Sequence, residues 1–546
     1  MTTVSDFLLE RIEHIGVKHI FGVPGDYVLN FCKKVSDGEV IELVNCTDES
    51  HAGFAANAYA RVNKVGCVVA TYNVGSLKMT NSVACAYAER CPVIVISGSP
   101  GIKERKEGVL LHHMVRSFEC QKDVFQNLTC ASVVLDDPST AGFKIDAALE
   151  AMLFHKQPIY IELPRDIADK PISYDVYRQG TPSHPPTDQQ NLDESIKEVV
   201  EWIKSAKNPV ILAGVQLSRF DLGLELLKFA EKANIPIATT LLAKSVVNER
   251  HPLFMGIYSG VSSKESVRKA VEKSDCLLMF GVLLTDMTLT FMPSKFKKRN
   301  TVNCAVEGLQ IRNHTFTDVH FQDFCQTLFK SDVGKLEYIP EVKELKKTFV
   351  PTKDPITSLR FFEKINSVIN ENFSIIADVG DCLFGAADLV MHNKSSFIAS
   401  SFYTSMGGAI PGALGMCLAQ PNKRPIVLVG DGAFQMSCTE LGTLVARNMN
   451  PIVFVLNNRG YTTERFLLDG KFNDIPNWNY HLYNQLIGGG EGYLVETEQE
   501  LEDAVSKAIS SKVLTLINVS IGQMDVSPAL KRMTEGLAKR VQNAHE

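Results

Sequence analysis

Three α/β domains, each built on a doubly wound parallel sheet, are predicted by three features of this chain. Its 546 residues are too many for a single hydrophobic core. Short apolar runs that read as buried strands alternate with stretches of helical periodicity, the pattern of a parallel sheet covered on both faces. Two segments interrupt that rhythm. One, 168–191, is rich in Pro, Ser, Thr, Gln and Asp and gathers Pro182, Pro185 and Pro186; the other, 338–355, is charged and contains prolines. They divide the chain into domains 1–170, 192–337 and 356–546.

The first domain opens with an amphipathic stretch, Asp6 to Gly16, then a strand, His19 to Val23, ending in the turn Pro24-Gly25-Asp26-Tyr27. Strands follow at Cys67 to Thr71, before a turn at Gly75 and a helix through Ala88, at Pro92 to Ser97, and at Pro158 to Leu163. The second domain carries strands at Pro209 to Gly214, Pro236 to Thr239, Cys276 to Gly281 and Thr301 to Asn303. Gly214-Val215-Gln216 lacks a phosphate-binding glycine fingerprint, so a domain without its own cofactor is expected. The third domain carries Ser374 to Asp378, a glycine-rich Ser405 to Gly415, and a last strand Thr515 to Val519. Leu530, Met533 and Leu537 mark a helix in the tail 528–541, whose stripe packing explains equally well. The first and third domains share an element order, which suggests a diverged duplication.

Composition narrows the function class. Apolar residues make up 45% and charged residues 22% of the chain, and the net charge is −6, so no basic surface for nucleic acid or anionic membrane is indicated. No uncharged apolar run reaches the length of a membrane span, and Met1 to Asp6 does not begin a secretory signal. Thirteen cysteines without CxxC pairs fit a reducing, cytoplasmic compartment and free thiols.

The chemistry concentrates in 427–464. The apolar run Ile426 to Val429 breaks at Gly430-Asp431-Gly432, a helix is expected from Phe434 to Arg447, and the strand Pro451 to Leu456 ends in Asn457-Asn458-Arg459-Gly460. Both polar turns fall at the carboxyl ends of parallel strands, where open α/β sheets bind ligands. Asp431 offers a carboxylate, Asn458 an amide oxygen and Gly460 an unhindered carbonyl, three hard oxygens of the kind magnesium shares with phosphates. Glycines beside Asp431 and the N–H groups of the following helix suit a diphosphate. Gly-Asp-Gly alone is as often a helix-capping turn.

Together with Asn457-Asn458, Gly460-Tyr461-Thr462-Thr463-Glu464 and Asn473-Asp474-Ile475-Pro476-Asn477-Trp478, the stretch resembles the cofactor-binding motif of thiamine diphosphate enzymes. It is similar to their decarboxylase branch, which acts on pyruvate, indolepyruvate and branched-chain 2-oxo acids. Over nearly the full length the resemblance implies the thiamine diphosphate-enzyme fold. The first domain would bind the cofactor's pyrimidine, the third its diphosphate with Mg2+, and Asp431, Asn458 and Gly460 would hold the metal.

The resemblance also implies roles residue by residue. Asp26, in Phe21-Gly22-Val23-Pro24-Gly25-Asp26, matches a catalytic aspartate; Glu49 the cofactor-activating glutamate; His112 and His113 the consecutive histidines; Glu464 the carboxylate beside the substrate. Cofactor contacts would come from Glu49, Thr71, Thr404, Met406, Gly430, Gly432, Ala433 and Asn458. Met406 stands where the family has the isoleucine that bends the cofactor, Asn73 where it commonly has glycine and Ala433 where it often has serine. A thiazolium ylid would attack the 2-oxo carbon, and the enamine left after carbon dioxide departs would be protonated before the aldehyde leaves. Carboxylates and imidazoles in an apolar cleft can relay those protons. Read singly, Glu49 is also a first-turn helix acid, Asp26 a turn residue and the histidines surface groups.

The family's substrate-lining positions fall on Met287, Val379, Leu383, Thr463, Leu467, Met533 and Leu537. Thr463 is smaller than the isoleucine of pyruvate-dedicated enzymes, so a 2-oxo acid with a branched-chain or aromatic side chain is expected. The alternatives are a pyruvate decarboxylase proper, a carboligase or oxidase of the acetolactate synthase type, and a non-catalytic scaffold. In the family the first domain of one chain faces the third of another, which implies a homodimer or homotetramer.

Overall fold

The computed structural model describes residues 2–106, 108–172, 186–289, 296–337 and 349–534. Parts of both expected linkers, 173–185 and 338–348, and the tail with Leu537 lie outside the described residues.

The first sheet comprises β1 (His19–Gly22), β2 (Glu42–Asn45), β3 (Gly66–Ala70), β4 (Val93–Ser99), β5 (Ala131–Val134) and β6 (Ile159–Pro164). All pairings are parallel, in the order β2-β1-β3-β4-β6-β5. The two strands that the periodicity did not reveal, β2 and β5, are the edges. Edge strands are only partly buried and need no continuous apolar run, so they read as loop in sequence.

The second sheet has seven strands: β7 (Pro209–Ala213), β8 (Ile237–Thr240), β9 (Phe254–Tyr258), β10 (Cys276–Phe280), β11 (Thr301–Ala305), β12 (Gly308–Ile311) and β13 (His314–Phe316). It is not wholly parallel: β12 and β13 extend it as an antiparallel edge. The connections before them, Val306-Glu307 and Arg312-Asn313, are two residues long, too short for a crossover. Arg312 takes the left-handed conformation that such a turn requires, with φ +54°.

The third sheet comprises β14 (Phe373–Ala377), β15 (Phe397–Ala399), β16 (Arg424–Gly430), β17 (Ile452–Asn457), β18 (Glu491–Val495) and β19 (Thr515–Ser520), in the order β15-β14-β16-β17-β19-β18. Counted within each domain, this is the order of the first sheet strand for strand. In both sheets the chain turns back at the second and third positions. The switch points of strand order therefore lie between β1 and β3 and between β14 and β16.

One hydrophobic core runs through both outer domains, from Phe21 and Val68 to Val427 and Val453. It is joined where the helix Glu49–Asn63 packs on the helix Ala409–Ala419. The contact is made by small residues: a Cβ at Gly415 would stand 2.1 Å from the Ala55 carbonyl oxygen. The expected helix Phe434 to Arg447 is instead two helices, Asp431–Ser437 and Glu440–Ala446. The break brings Thr439 and Glu440 to Thr47 of the first domain, with the Thr47 Oγ1 donating to the Glu440 carboxylate at 2.8 Å. Residues 528–534 are helical, with Leu530 and Met533 buried. All thirteen cysteines are free thiols. Among the described residues no helix is long and apolar enough to cross a membrane.

Candidate active site

One group of side chains gathers at the switch point of the first sheet, and a second at the carboxyl ends of β16 and β17 in the third. In the first domain, the turn after β1 carries Asp26 and the turn after β3 carries Thr71 to Gly75. These turns touch, because a Cβ on Gly25 would lie 2.5 Å from the Thr71 Cβ. The His112 Nε2 is 2.6 Å from the Asp26 carboxylate. Tyr27 stacks on His112 with ring centroids 4.7 Å apart, and His113 meets His112 edge-on at the same distance. The expected aspartate and consecutive histidines thus form one cluster, with ligand-type atoms all within 4.8 Å of one another.

Asn73, at the family's usual glycine, adopts φ +49°, which explains the preference for glycine; asparagine is among the few residues that tolerate it. Its side-chain amide donates to the His113 carbonyl at 2.8 Å and ties down the histidine loop. Buried Gln121 holds this turn from beneath, accepting from the Asn73 N–H at 3.0 Å and the Ser76 hydroxyl at 2.7 Å. Sequence reasoning gave Gln121 and Tyr27 no role, because neither belongs to a local motif.

Glu49 is the first residue of its helix and is buried. It lies against Gly75: a Cβ there would be 3.0 Å from the Glu49 Oε1 and 3.2 Å from the Thr71 nitrogen. Asp48 caps the helix through the Ser50 N–H, 2.8 Å. Lys78 pairs with both acids, at 3.0 Å from Glu49.

In the third domain, the Asp431 carboxylate accepts from the Gly432 N–H at 2.8 Å and the Gly460 N–H at 3.1 Å, which closes the two turns on each other. Burial pushes Asp431 up to about 6 although the backbone N–H groups oppose it. Beside it the Asn458 Oδ1 is buried with no hydrogen-bond partner. A buried carboxylate and an orphaned amide oxygen on two adjoining turns are a donor set suited to a hard divalent cation. No atom lies within 4 Å of where a Cβ on Gly430 would stand, which leaves the turn open to an anion. In the first domain Thr71 likewise has a buried, unpartnered Oγ1.

The remaining expected positions divide. Glu464 is exposed on the short helix Thr462–Arg465 after β17. Thr463 faces the turn after β14, its hydroxyl 3.8 Å from where a Cβ on Gly380 would lie, next to Val379. Met406 is half-buried, and Thr404 before it has φ +53°. Leu467 is exposed. Met287 and Met533 share the wall of a small cavity of about 30 Å³ between the second and third domains, which neither Val379 nor Thr463 lines. Leu383 is fully buried in the core of the third domain, on the helix Asp381–Ala386 that follows Gly380.

Family models match three successive stretches of the chain. The N-terminal TPP binding domain of thiamine pyrophosphate enzymes matches residues 2–126, the central domain 196–330 and the C-terminal TPP binding domain 378–519. Among curated proteins, a probable pyruvate decarboxylase of Schizosaccharomyces pombe is 31% identical over 97% of this chain and 95% of its own length. An indole-3-pyruvate decarboxylase of Azospirillum brasilense is 31% identical over 98% of each chain. An alpha-keto-acid decarboxylase of Mycobacterium tuberculosis is 30% identical over 98% of this chain and 97% of its own.

Proposed function

This chain belongs to the thiamine diphosphate-dependent 2-oxo acid decarboxylases, a family of carboxy-lyases, and from that premise we propose that its substrates carry a medium or large apolar side chain, branched-chain or aromatic. The observation that carries the reading is the short wall where Thr463 faces Gly380. With a threonine on one side and no side chain on the other, that wall leaves room beyond the methyl group of pyruvate.

Thiamine diphosphate, when bound, supplies carbanion and electron-sink chemistry. The chain supplies the rest. Asp431, Asn458 and Gly460 would hold Mg2+, with Gly430, Gly432 and Ala433 leaving the turn open to the diphosphate. Thr71, Thr404 and Met406 border the cofactor. Glu49 holds a proton at the pyrimidine nitrogen. Asp26 and His112, already hydrogen-bonded, move protons together with His113 and Glu464. Met287, Val379, Leu383, Leu467 and Met533 complete the substrate pocket in this reading.

The two halves of the site stand on different domains, and we assign them to different chains of a dimer, itself paired in a tetramer. Exposed apolar residues flank each half: Val74, Leu110 and Val115 in the first domain, and Met436, Leu468 and Phe472 in the third. A second copy would cover such residues. Mixing Glu49→Gln with Asp431→Asn tests this, since the mixture recovers activity only where one site draws on two chains. Thirteen free thiols support a reducing, cytoplasmic location.

Aldehyde release from pyruvate, 3-methyl-2-oxobutanoate, 4-methyl-2-oxopentanoate, phenylpyruvate and indolepyruvate, with thiamine diphosphate and Mg2+, tests the substrate reading. Preference for the larger acids supports it. Turnover confined to pyruvate overturns it in favour of a pyruvate decarboxylase proper.

A further inference from the structure

A closed polar network lies beneath the histidine cluster. Its centre is Glu162 on β6, a carboxylate with almost no exposed surface. One of its oxygens accepts from the Arg105 guanidinium at 2.8 Å. The other accepts from the Gln121 amide and from the Tyr160 hydroxyl, each at 3.1 Å. A buried charge is tolerated when it is paired and its remaining lone pairs are used, and both conditions are met here.

Two of these partners lead to the histidines. Gln121, on the short helix Cys120–Gln126, is fully buried, and both ends of its amide are engaged. Its NH2 group donates to Glu162 and to the Gly98 carbonyl at 3.1 Å. Its oxygen accepts from the Asn73 N–H, the Ser76 hydroxyl and, at 2.9 Å, the Ser97 hydroxyl. An ionised carboxylate can only accept, so Glu162 decides which end of the amide faces Asn73. Asn73 holds the left-handed conformation of its turn, and its own side chain grips the His113 carbonyl. Arg105 reaches the same cluster by a second route. It precedes His112 in the chain and also donates to the Ser99 hydroxyl at 2.8 Å and the Pro100 carbonyl at 3.2 Å, which pins it to the end of β4. Its bond to Glu162 is charge-assisted and roughly twice as strong as a neutral one.

We propose that Glu162 is a positioning residue for proton transfer: through Gln121 and Asn73 on one side, and Arg105 on the other, it sets where His113 and His112 stand. The proposal rests on the reading that these histidines move protons. It implies that loss of the Glu162 charge loosens the histidine segment and lowers turnover, while the Asp431 turn of the third domain is untouched.

Three measurements on the full chain test this. Steady-state kinetics with thiamine diphosphate and Mg2+ give kcat and KM for the preferred 2-oxo acid. Mass spectrometry follows the rate at which diethylpyrocarbonate modifies His113 in the cofactor-free chain, and calorimetry gives the affinity for inorganic diphosphate with Mg2+. Glu162→Gln keeps the shape, removes the charge and frees the Gln121 amide to turn over. Its kcat is expected to fall about tenfold with KM within about twofold, and His113 to be modified about threefold faster, with diphosphate affinity within about twofold. Arg105→Lys keeps a cation beside Glu162 but gives up the fork to Ser99 and Pro100; it is the milder variant, and a fall in kcat of about threefold is expected. An unchanged rate of His113 modification in folded Glu162→Gln or Arg105→Lys overturns the proposal, as does a loss confined to KM or an equal loss of diphosphate affinity. His113→Gln distinguishes the two failures. If it lowers kcat and the Glu162 and Arg105 variants do not, the positioning role fails alone; if it keeps the parental kcat, the proton-transfer reading fails, and the modification rate alone decides whether Glu162 places the histidine.

Discussion

The ammonium of Lys78 lies 3.0 Å from the carboxylate of Glu49, the group expected at the cofactor's pyrimidine, and also pairs with Asp48. Glu49 is buried while the Lys78 side chain is half-exposed. In the proposed site the cofactor would compete with a solvated cation for Glu49, and Asp48 offers that cation a second anchor.

Replacing Lys78 by Met removes the competitor. Because half-exposed ion pairs are worth about 0–1 kcal/mol, thiamine diphosphate affinity should rise by up to about fivefold. Calorimetry on Lys78→Met checks this; weaker binding would mean that Lys78 stays with Glu49 in the loaded site and orients it.

Asn458→Ala should separate stability from function. The Asn458 Oδ1 is buried and unpartnered, a penalty of about 1–3 kcal/mol in the empty site. The variant should melt no lower than the parent without cofactor, yet bind Mg2+ with diphosphate at least about tenfold more weakly. Thermal melts with and without the ligands read both effects.

Asp378 gives a pH signature. Burial raises it to about 6 from an ordinary value of 3.8, against the pull of the Ala409, Gly407 and Val379 N–H groups. The folded chain thus holds this proton more tightly than the unfolded chain. Its contribution to stability is full below the unfolded value and is lost as pH rises through about 4 to 6, a loss of ~3 kcal/mol. Relative to Asp378→Asn, the parent should therefore lose stability between pH 4 and pH 7, measured as the difference in denaturation midpoints.

Thr463→Ile should shorten the substrate pocket. One added methylene against a hydrophobic substrate typically changes kcat/KM by tenfold or more. The ratio of activity on 4-methyl-2-oxopentanoate to activity on pyruvate should fall by roughly that factor, in the same assay that ranks the parent's substrates.

Local pattern carried much of this site. Gly430-Asp431-Gly432 and Asn457-Asn458 sit at strand ends, and the apolar runs that place them are buried enough to read directly. The edge strands β2, β5 and β18 escaped because half-exposed strands do not need apolar runs, and β15 because it is only three residues long. Periodicity reads Phe434 to Arg447 as one helix because it does not register a break made by a long-range contact, Glu440 with Thr47.

Composition and short spacings carry the three-domain α/β plan, the two turns proposed for metal and diphosphate, and the identity of the charged groups. Only the tertiary structure decided that the first and third sheets share one strand order and that Asp26, His112 and His113 cluster. It alone showed that Lys78 meets Glu49 and that Glu89 and Asp378 grip one loop from two domains. Those relations join residues up to hundreds of positions apart, and what fixes them is the burial of charge and the close packing of the small residues along the Glu49–Asn63 and Ala409–Ala419 helices.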